Sequence, residues 1–132
     1  PPAGPPALID PRKEDPLAFL MLDLKDTFEF APTAAAGTVE FTRAKYTLDV
    51  LKLNDRDYLV QARENAFGAY LARLQAYVVI RDGGASTAKL ARLKASLLRS
   101  PHPTVWTEMK RQHAHHTELR NLFAQAPEAL NW

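Results

Sequence analysis

Proline is concentrated at the start of this chain, and this limits where a folded body can begin. Six of the ten prolines among its 132 residues lie within residues 1–16. Because proline fixes the φ angle and has no backbone N–H, a helix interior or a central strand does not run through such a stretch. We predict an extended arm or linker over residues 1–16 and a single globular domain over residues 17–132.

Two short stretches after the arm have the pattern of a β-hairpin. Residues 17–24 and 27–30 flank Lys25 and Asp26, and Phe28 and Phe30 alternate with a glutamate as in a half-buried strand. Residues 31–37 form a loop of small residues, and residues 39–41 are long enough for a third strand. The sequence predicts a β-hairpin region over residues 17–41.

From residue 42 onward, the periodicity and the capping residues predict four helices. The first ends near Asn54, and the second covers residues 56–81 and is apolar on several faces, which predicts a central position in the core. Ser86 caps the third helix, and the fourth runs from Pro103 to about Pro127. The predicted fold class is mainly α (α+β), with four helices over residues 42–132 after the arm and the hairpin.

Composition excludes several kinds of protein. Hydrophobic residues make up 46% of the chain and charged residues 24%, as in an ordinary globular domain. The absence of cysteine excludes disulfides, thiolate nucleophiles and cysteine-containing zinc sites. No apolar run approaches the roughly 20 residues that cross a bilayer. We expect no membrane partner and a cytoplasmic location.

The histidines are the first metal-ligand candidates to consider, and their spacing is a weak signal. His113 and His116 lie three residues apart on the predicted fourth helix, whereas the metalloprotease pattern needs a spacing of four and an intervening glutamate. His116 also falls on the apolar stripe, where a hydrogen-bonded core histidine is the simpler interpretation. No serine elbow or phosphate-binding glycine loop is present. We predict no metal and no catalytic residue in this chain, and its status as an enzyme stays open.

Basic residues are unevenly distributed and give a stronger candidate. Between positions 10 and 57 there are 7 basic and 10 acidic residues, but between positions 89 and 120 there are 7 basic and 2 acidic residues. Such a surface can neutralise phosphates, although an ordinary solvated helix face or a surface for an acidic protein partner are the alternatives. The candidate nucleic-acid-binding residues lie on the third and fourth helices: Lys89, Arg92, Arg99, Lys110, Arg111 and Arg120.

Two tryptophans are candidates for a protein interface. Trp106 and Trp132 could anchor the last helix in the core or form an interaction hot spot, since tryptophan is enriched in both roles. Exposure of Trp132 would indicate a partner.

Several motifs occur in a characteristic order along the chain. They are Leu8-Ile9-Asp10-Pro11 with Glu14-Asp15-Pro16, then residues 43–54 followed by Leu59 and Arg63, then residues 102–112, and finally Pro127-Glu128-Ala129-Leu130-Asn131-Trp132. Together they resemble the C-terminal region of bacterial HNH-type endonucleases, a group often found beside ATPases in anti-phage systems. The similarity spans nearly all of the chain after Ala7.

The resemblance implies a parent nuclease whose ββα-metal module lies upstream. In that module a histidine activates water and a divalent cation stabilises the scissile phosphate. This chain has no histidine before His102 and no cysteine, so no catalytic residue carries over. We expect a cofactor only in the parent nuclease module, and we expect this chain to be a fragment of that parent.

The sequence therefore leaves two main functions open. The first is a non-catalytic C-terminal region of an HNH endonuclease-like protein, which contacts the duplex DNA backbone or positions an N-terminal nuclease module. The alternative is a protein-interaction module that docks an ATPase or another subunit of a defence complex. A stand-alone metal-dependent enzyme that uses His113 and His116 is a third, weaker hypothesis.

Overall fold

A computed structural model describes residues 8–10, 13–54 and 57–132 of the chain. Within these residues the fold is mainly α with one small antiparallel hairpin, which confirms the predicted fold class, but five helices replace the predicted four. The elements are β1 (Leu20–Leu22), β2 (Phe30–Pro32), α1 (Val39–Leu51), α2 (Asp57–Asp82), α3 (Thr87–Leu98), α4 (Pro103–Gln112) and α5 (Thr117–Gln125). Short 3₁₀ turns occupy Pro16–Ala18, His113–His115 and Pro127–Asn131.

The chain separates into two compact units, Pro1–Gln61 and Ala62–Trp132. The first contains the hairpin and α1, and the second contains α3, α4, α5 and most of α2. The single domain over residues 17–132 stays a prediction. Part of the predicted arm, residues 1–7 and 11–12, lies outside the described residues, as do Asp55 and Arg56 at the predicted start of the second helix.

The hairpin is shorter than the sequence predicts and shifted along the chain. β1 and β2 pair antiparallel, with Met21 opposite Ala31. Phe28, predicted within a strand, has a φ of 54°, which interrupts the extended backbone. The side chain of Asp23 accepts hydrogen bonds from the backbone N–H groups of residues 25, 26 and 27 and organises the preceding turn instead.

The predicted third strand at residues 39–41 is wrong, because these residues form the first turn of α1. Thr38 is the N-cap, and its hydroxyl accepts a hydrogen bond from the backbone N–H of Phe41 at 3.1 Å. α1 ends at Leu51, since Lys52 adopts the left-handed conformation with φ 52°. The side chain of Asn54 makes two 2.8 Å hydrogen bonds with the backbone N–H and C=O of Phe30.

The second unit has the larger apolar core. The buried side chains come from every helix of the unit, with Tyr70 and Leu74 on α2, Leu97 on α3, Met109 on α4 and Phe123 on α5, each at most 2% exposed. The predicted central role of the second helix is consistent with this burial.

The predicted fourth helix is interrupted at the histidines and forms two helices. Nδ1 of His113 donates a hydrogen bond to the carbonyl of Lys110 at 2.8 Å, and this carbonyl is the regular acceptor for the residue that follows His113. His116 then serves as the N-cap of α5, where its Nδ1 accepts from the backbone N–H of Leu119. These two side-chain bonds lie at the interruption, although the apolar pattern of the sequence continues through it.

Candidate nucleic-acid interface

Helix α3 presents the basic residues, and its own sequence fixes which side they occupy. The hydroxyl of Ser86 caps the helix by accepting from the backbone N–H of Lys89 at 3.2 Å, as the sequence predicts. Leu90, Leu93 and Leu97 share one side, and Leu97 is buried at 1% exposure. This apolar side is the covered one, and the exposed residues of α3 lie on its other sides.

Three basic residues lie together on the solvent side of α3. At 100° per residue, Lys89, Arg92 and Arg99, the C-cap residue directly after α3, fall within an arc of about 80°. All three are exposed, and within the described part of the chain no carboxylate pairs with their side chains. We call these three residues the cationic face. Their charge is available to an external anion.

The sequence around the cationic face contains no negative charge. From position 83 to position 107 there is no aspartate or glutamate, while four residues are basic, the fourth being Lys94. The nearest acidic residues along the chain are Asp82 and Glu108. A continuous positive segment of this length favours polyanions over mixed-charge partners.

The cations predicted on the fourth helix have a different setting. The ammonium of Lys110 donates to the main-chain oxygen of Trp132 and lies over the ring of Trp106, so this charge already has contacts within the unit. Arg111 forms an ion pair with Glu108, whose side chain is fully buried. Arg120 is exposed on α5. Lys110 and Arg111 therefore already have contacts for their charges within the unit, which distinguishes them from the three residues of the cationic face.

The two tryptophans pack within the second unit. Trp106 is only 4% exposed and stacks on Tyr70 with ring centroids 5.5 Å apart. Its buried indole N–H has no hydrogen-bond partner among the described residues. Trp132 is partly buried, with its ring edge-on to Tyr77 at 4.8 Å and the ammonium of Lys94 5.6 Å from its centroid. These contacts give both indoles a packing role, and their role in a protein interface stays a prediction.

The two candidate metal-binding histidines no longer share a helix face. His113 begins the 3₁₀ turn after α4 and His116 caps the next helix, and each uses Nδ1 in a hydrogen bond to the backbone. His113 also contacts the ring of Phe123, and His116 contacts that of Phe67. Among the described residues, no cluster of three or more histidine, cysteine, aspartate or glutamate side chains is arranged to hold a metal ion.

Residues from the first two motifs of the resemblance meet in the first unit. The carboxylate of Glu14 accepts two 2.7 Å hydrogen bonds from the guanidinium of Arg43, and these bonds hold its pKa below the usual value. The backbone N–H of Ile9 donates to the hydroxyl of Thr47 at 3.0 Å, and Ile9 is buried. These contacts attach the segment before the hairpin to α1, which is a structural role for the motifs.

The sequence pattern of α3 does not predict that Arg73, a residue of α2, contacts this helix. Arg73 lies on α2 and is 23 positions before Ser96, yet its guanidinium bonds to the Ser96 side chain. No spacing rule predicts this contact, because it depends on how the two helices pack. The sequence indicated this site only through the basic composition around α3.

Comparison of the chain with protein-family models, with curated proteins and with solved structures finds no match. Of the helices in the described part of the chain, none combines the length and apolar character that crossing a membrane requires.

Proposed function

We propose that this chain is a non-catalytic region that contacts the phosphate backbone of duplex DNA through the cationic face of α3, within a larger HNH endonuclease-like protein. The observation that carries the proposal is the cationic face itself. Lys89, Arg92 and the C-cap residue Arg99 are exposed on one side of α3, in a segment without acidic residues.

The chemistry of α3 favours phosphate over base edges. Lysine and arginine neutralise phosphates and release condensed counterions, which gives affinity that depends strongly on salt. Between Thr87 and Arg99 the chain has no asparagine or glutamine, the residues that pair with adenine in the major groove. We expect binding with little sequence preference.

The direct test replaces all three residues of the cationic face by glutamate and measures binding to a short duplex by fluorescence anisotropy. The three phosphate contacts of the cationic face contribute about −2.7 to the slope of log K against log salt, which by itself gives a roughly 40-fold loss of affinity from about 50 to about 200 mM salt. The K89E/R92E/R99E variant should lose this binding while its circular dichroism spectrum and melting temperature stay the same.

A matched control separates a local contact from the effect of net charge. K13E/K25E/K45E changes the same total charge at exposed positions of the first unit. It should retain most of the affinity, and so should K89R/R92K/R99K, which keeps every charge of the cationic face. Equal loss in the two glutamate variants would show that only overall charge matters and would refute the proposal.

The wider assignment to an HNH endonuclease-like protein has its own test. The coding DNA upstream of Pro1 should contain an open frame with a histidine–asparagine–histidine pattern and paired cysteines. Absence of such a frame would leave a DNA-contacting protein without a nuclease partner in the same chain.

A second candidate function is supported by α1. Val39, Tyr46 and Val50 recur at intervals of seven and four on one side of α1 and are 62%, 47% and 48% exposed. The opposite side is buried through Ala44 and Leu48. Such an exposed apolar stripe favours a docking surface for a protein subunit, the ATPase of a defence complex being the one the resemblance implies.

This alternative predicts that V39S/Y46S/V50S abolishes binding to a co-purified subunit and leaves duplex binding unchanged. Duplex binding lost in that variant, with the fold intact, would instead place α1 in the DNA contact.

A further inference from the structure

We infer that Arg73 of α2 is a fourth phosphate-contacting residue, which Ser96 positions beside the cationic face of α3. The inference rests on the proposed function and extends its site across two helices. It concerns a residue that is remote in sequence from the other three.

The contact between Arg73 and Ser96 fixes the guanidinium at one place on α3. Nη1 of Arg73 donates to the hydroxyl of Ser96 at 2.7 Å and lies 3.4 Å from the main-chain oxygen of the same residue. Ser96 follows Arg92 by four positions and precedes Arg99 by three, the spacings at which helix residues are neighbours on one side. The Arg73 charge is therefore held between two members of the cationic face.

This position fills a gap in the row of charges. With a rise of about 1.5 Å per residue, Lys89, Arg92 and Arg99 lie at about 0, 4.5 and 15 Å along the axis of α3. Ser96 lies at about 10.5 Å on the same scale. With Arg73 anchored there, positive charges follow one another every 4 to 6 Å or so, instead of leaving an interval of about 10 Å.

The anchored guanidinium keeps donors for a ligand. Arginine has five N–H donors, and the bonds to Ser96 use only those on Nη1. Arg73 is exposed, and no described carboxylate pairs with it. The Nε and Nη2 groups form the fork that binds phosphate oxygens, and holding Nη1 in place lowers the entropy lost on binding.

A structural tie between α2 and α3 is the competing explanation, and the salt dependence of DNA binding distinguishes the two. R73A should reduce the slope of log K against log salt by about one unit, as expected for one lost phosphate contact. K45A, a matched removal of one exposed charge in α1, should leave the slope unchanged. A purely structural tie would lower the melting temperature of R73A without changing the slope of the folded protein.

Ser96 is tested as a positioning residue by a double-mutant cycle. S96A should weaken duplex binding in the unchanged chain and have no effect in the R73A background, because Ser96 acts only through Arg73. Equal effects of S96A in both backgrounds would overturn the positioning role.

The outcomes also separate this inference from the proposed function. If K89E/R92E/R99E abolishes binding but R73A leaves the slope and the affinity unchanged, the inference is wrong and the proposed function stands. If the unchanged chain does not bind duplex DNA, both are wrong.

Discussion

Nη1 of Arg81 lies 3.0 and 2.8 Å from the two carboxylate oxygens of Glu128, and this pair joins α2 to the final turn of the chain. The hydroxyl of Tyr77 donates to the same carboxylate at 3.2 Å, and Nη2 of Arg81 donates to the main-chain oxygen of Gln125 at 2.6 Å. The turn at Pro127–Asn131 is thus attached by a charged network as well as by apolar packing.

This network should make the stability of the second unit depend on pH. Partial burial raises the pKa of Glu128, but hydrogen bonds from Arg81 and Tyr77 outweigh burial and hold the pKa below its ordinary value of 4.5. A carboxylate with a lowered folded pKa stabilises the fold fully above its unfolded pKa and loses that contribution as the pH falls through the folded pKa.

E128Q should therefore be less stable than the unchanged chain at pH 7, and the difference should shrink below about pH 4.5. Urea unfolding followed by tryptophan fluorescence at a series of pH values measures it. D82N, which alters a carboxylate that contacts Arg81 but is mostly exposed, is the control with a smaller expected effect. A difference that grows on acidification would contradict the assignment.

Replacing Tyr70 by phenylalanine should destabilise the second unit by about 1–2 kcal/mol. The Tyr70 hydroxyl is buried and lies within hydrogen-bond distance of the carbonyls of Ser100 and Pro101, at 3.0 and 3.2 Å. Its loss leaves these acceptors at the α3–α4 connection without that donor. Y46F, at an exposed tyrosine of α1, should change the free energy of unfolding by less than about 0.5 kcal/mol. Equal effects in the two variants would argue against the buried hydrogen bond.

Removing Arg111 should cost more than removing Arg111 and Glu108 together. Nη2 of Arg111 donates to Oε2 of Glu108 at 2.8 Å, and Gln112 donates to the same oxygen at 2.9 Å. R111M leaves a buried carboxylate without its main cation and should cost about 3 kcal/mol, whereas E108M/R111M should recover most of that loss. The free energies of unfolding of the unchanged chain, R111M and E108M/R111M, measured by urea unfolding, test this expectation. A double variant less stable than R111M would show that Glu108 has another essential role.

Replacing Lys52 by glycine should stabilise the chain by about 0.5–1 kcal/mol. Lys52 ends α1 in the left-handed conformation, with φ 52° and its N–H bonded to the carbonyl of Leu48. Glycine adopts this conformation without the steric cost of a Cβ atom. K45G in the interior of α1 is the matched control and should be destabilising by about 1 kcal/mol. Destabilisation by both variants would mean that the Lys52 side chain contributes more than its backbone conformation costs.

Much of the fold could be predicted because its signals are local. Ser86 caps α3 through a bond to a residue three positions away, and the pattern Leu90, Leu93, Leu97 defines the covered side of the same helix.

The wrong strand prediction at Phe28 also has a physical cause. The alternation of Phe28 and Phe30 suggested a strand, but Asp23 draws the preceding backbone into a turn and Phe28 takes a left-handed conformation.

The interruption of the last predicted helix shows the limit of periodicity. Nδ1 of His113 bonds to the carbonyl of Lys110, and Nδ1 of His116 caps α5 by accepting from the N–H of Leu119. Neither residue is a strong helix breaker by its type alone. Because of this interruption, His113 and His116 do not lie on one face of a single helix, which the hypothesis of a metal site required.

The sequence by itself determined the helical class, the capped start of α3 and the grouping of Lys89, Arg92 and Arg99, because each depends on contacts or angles within one helix. Only the tertiary structure decided which charges remain available and which residues join them. Lys110 and Arg111 have partners within the unit, whereas Arg73 reaches Ser96 from another helix. Such pairings depend on the packing of distant segments, and no spacing along the chain encodes them.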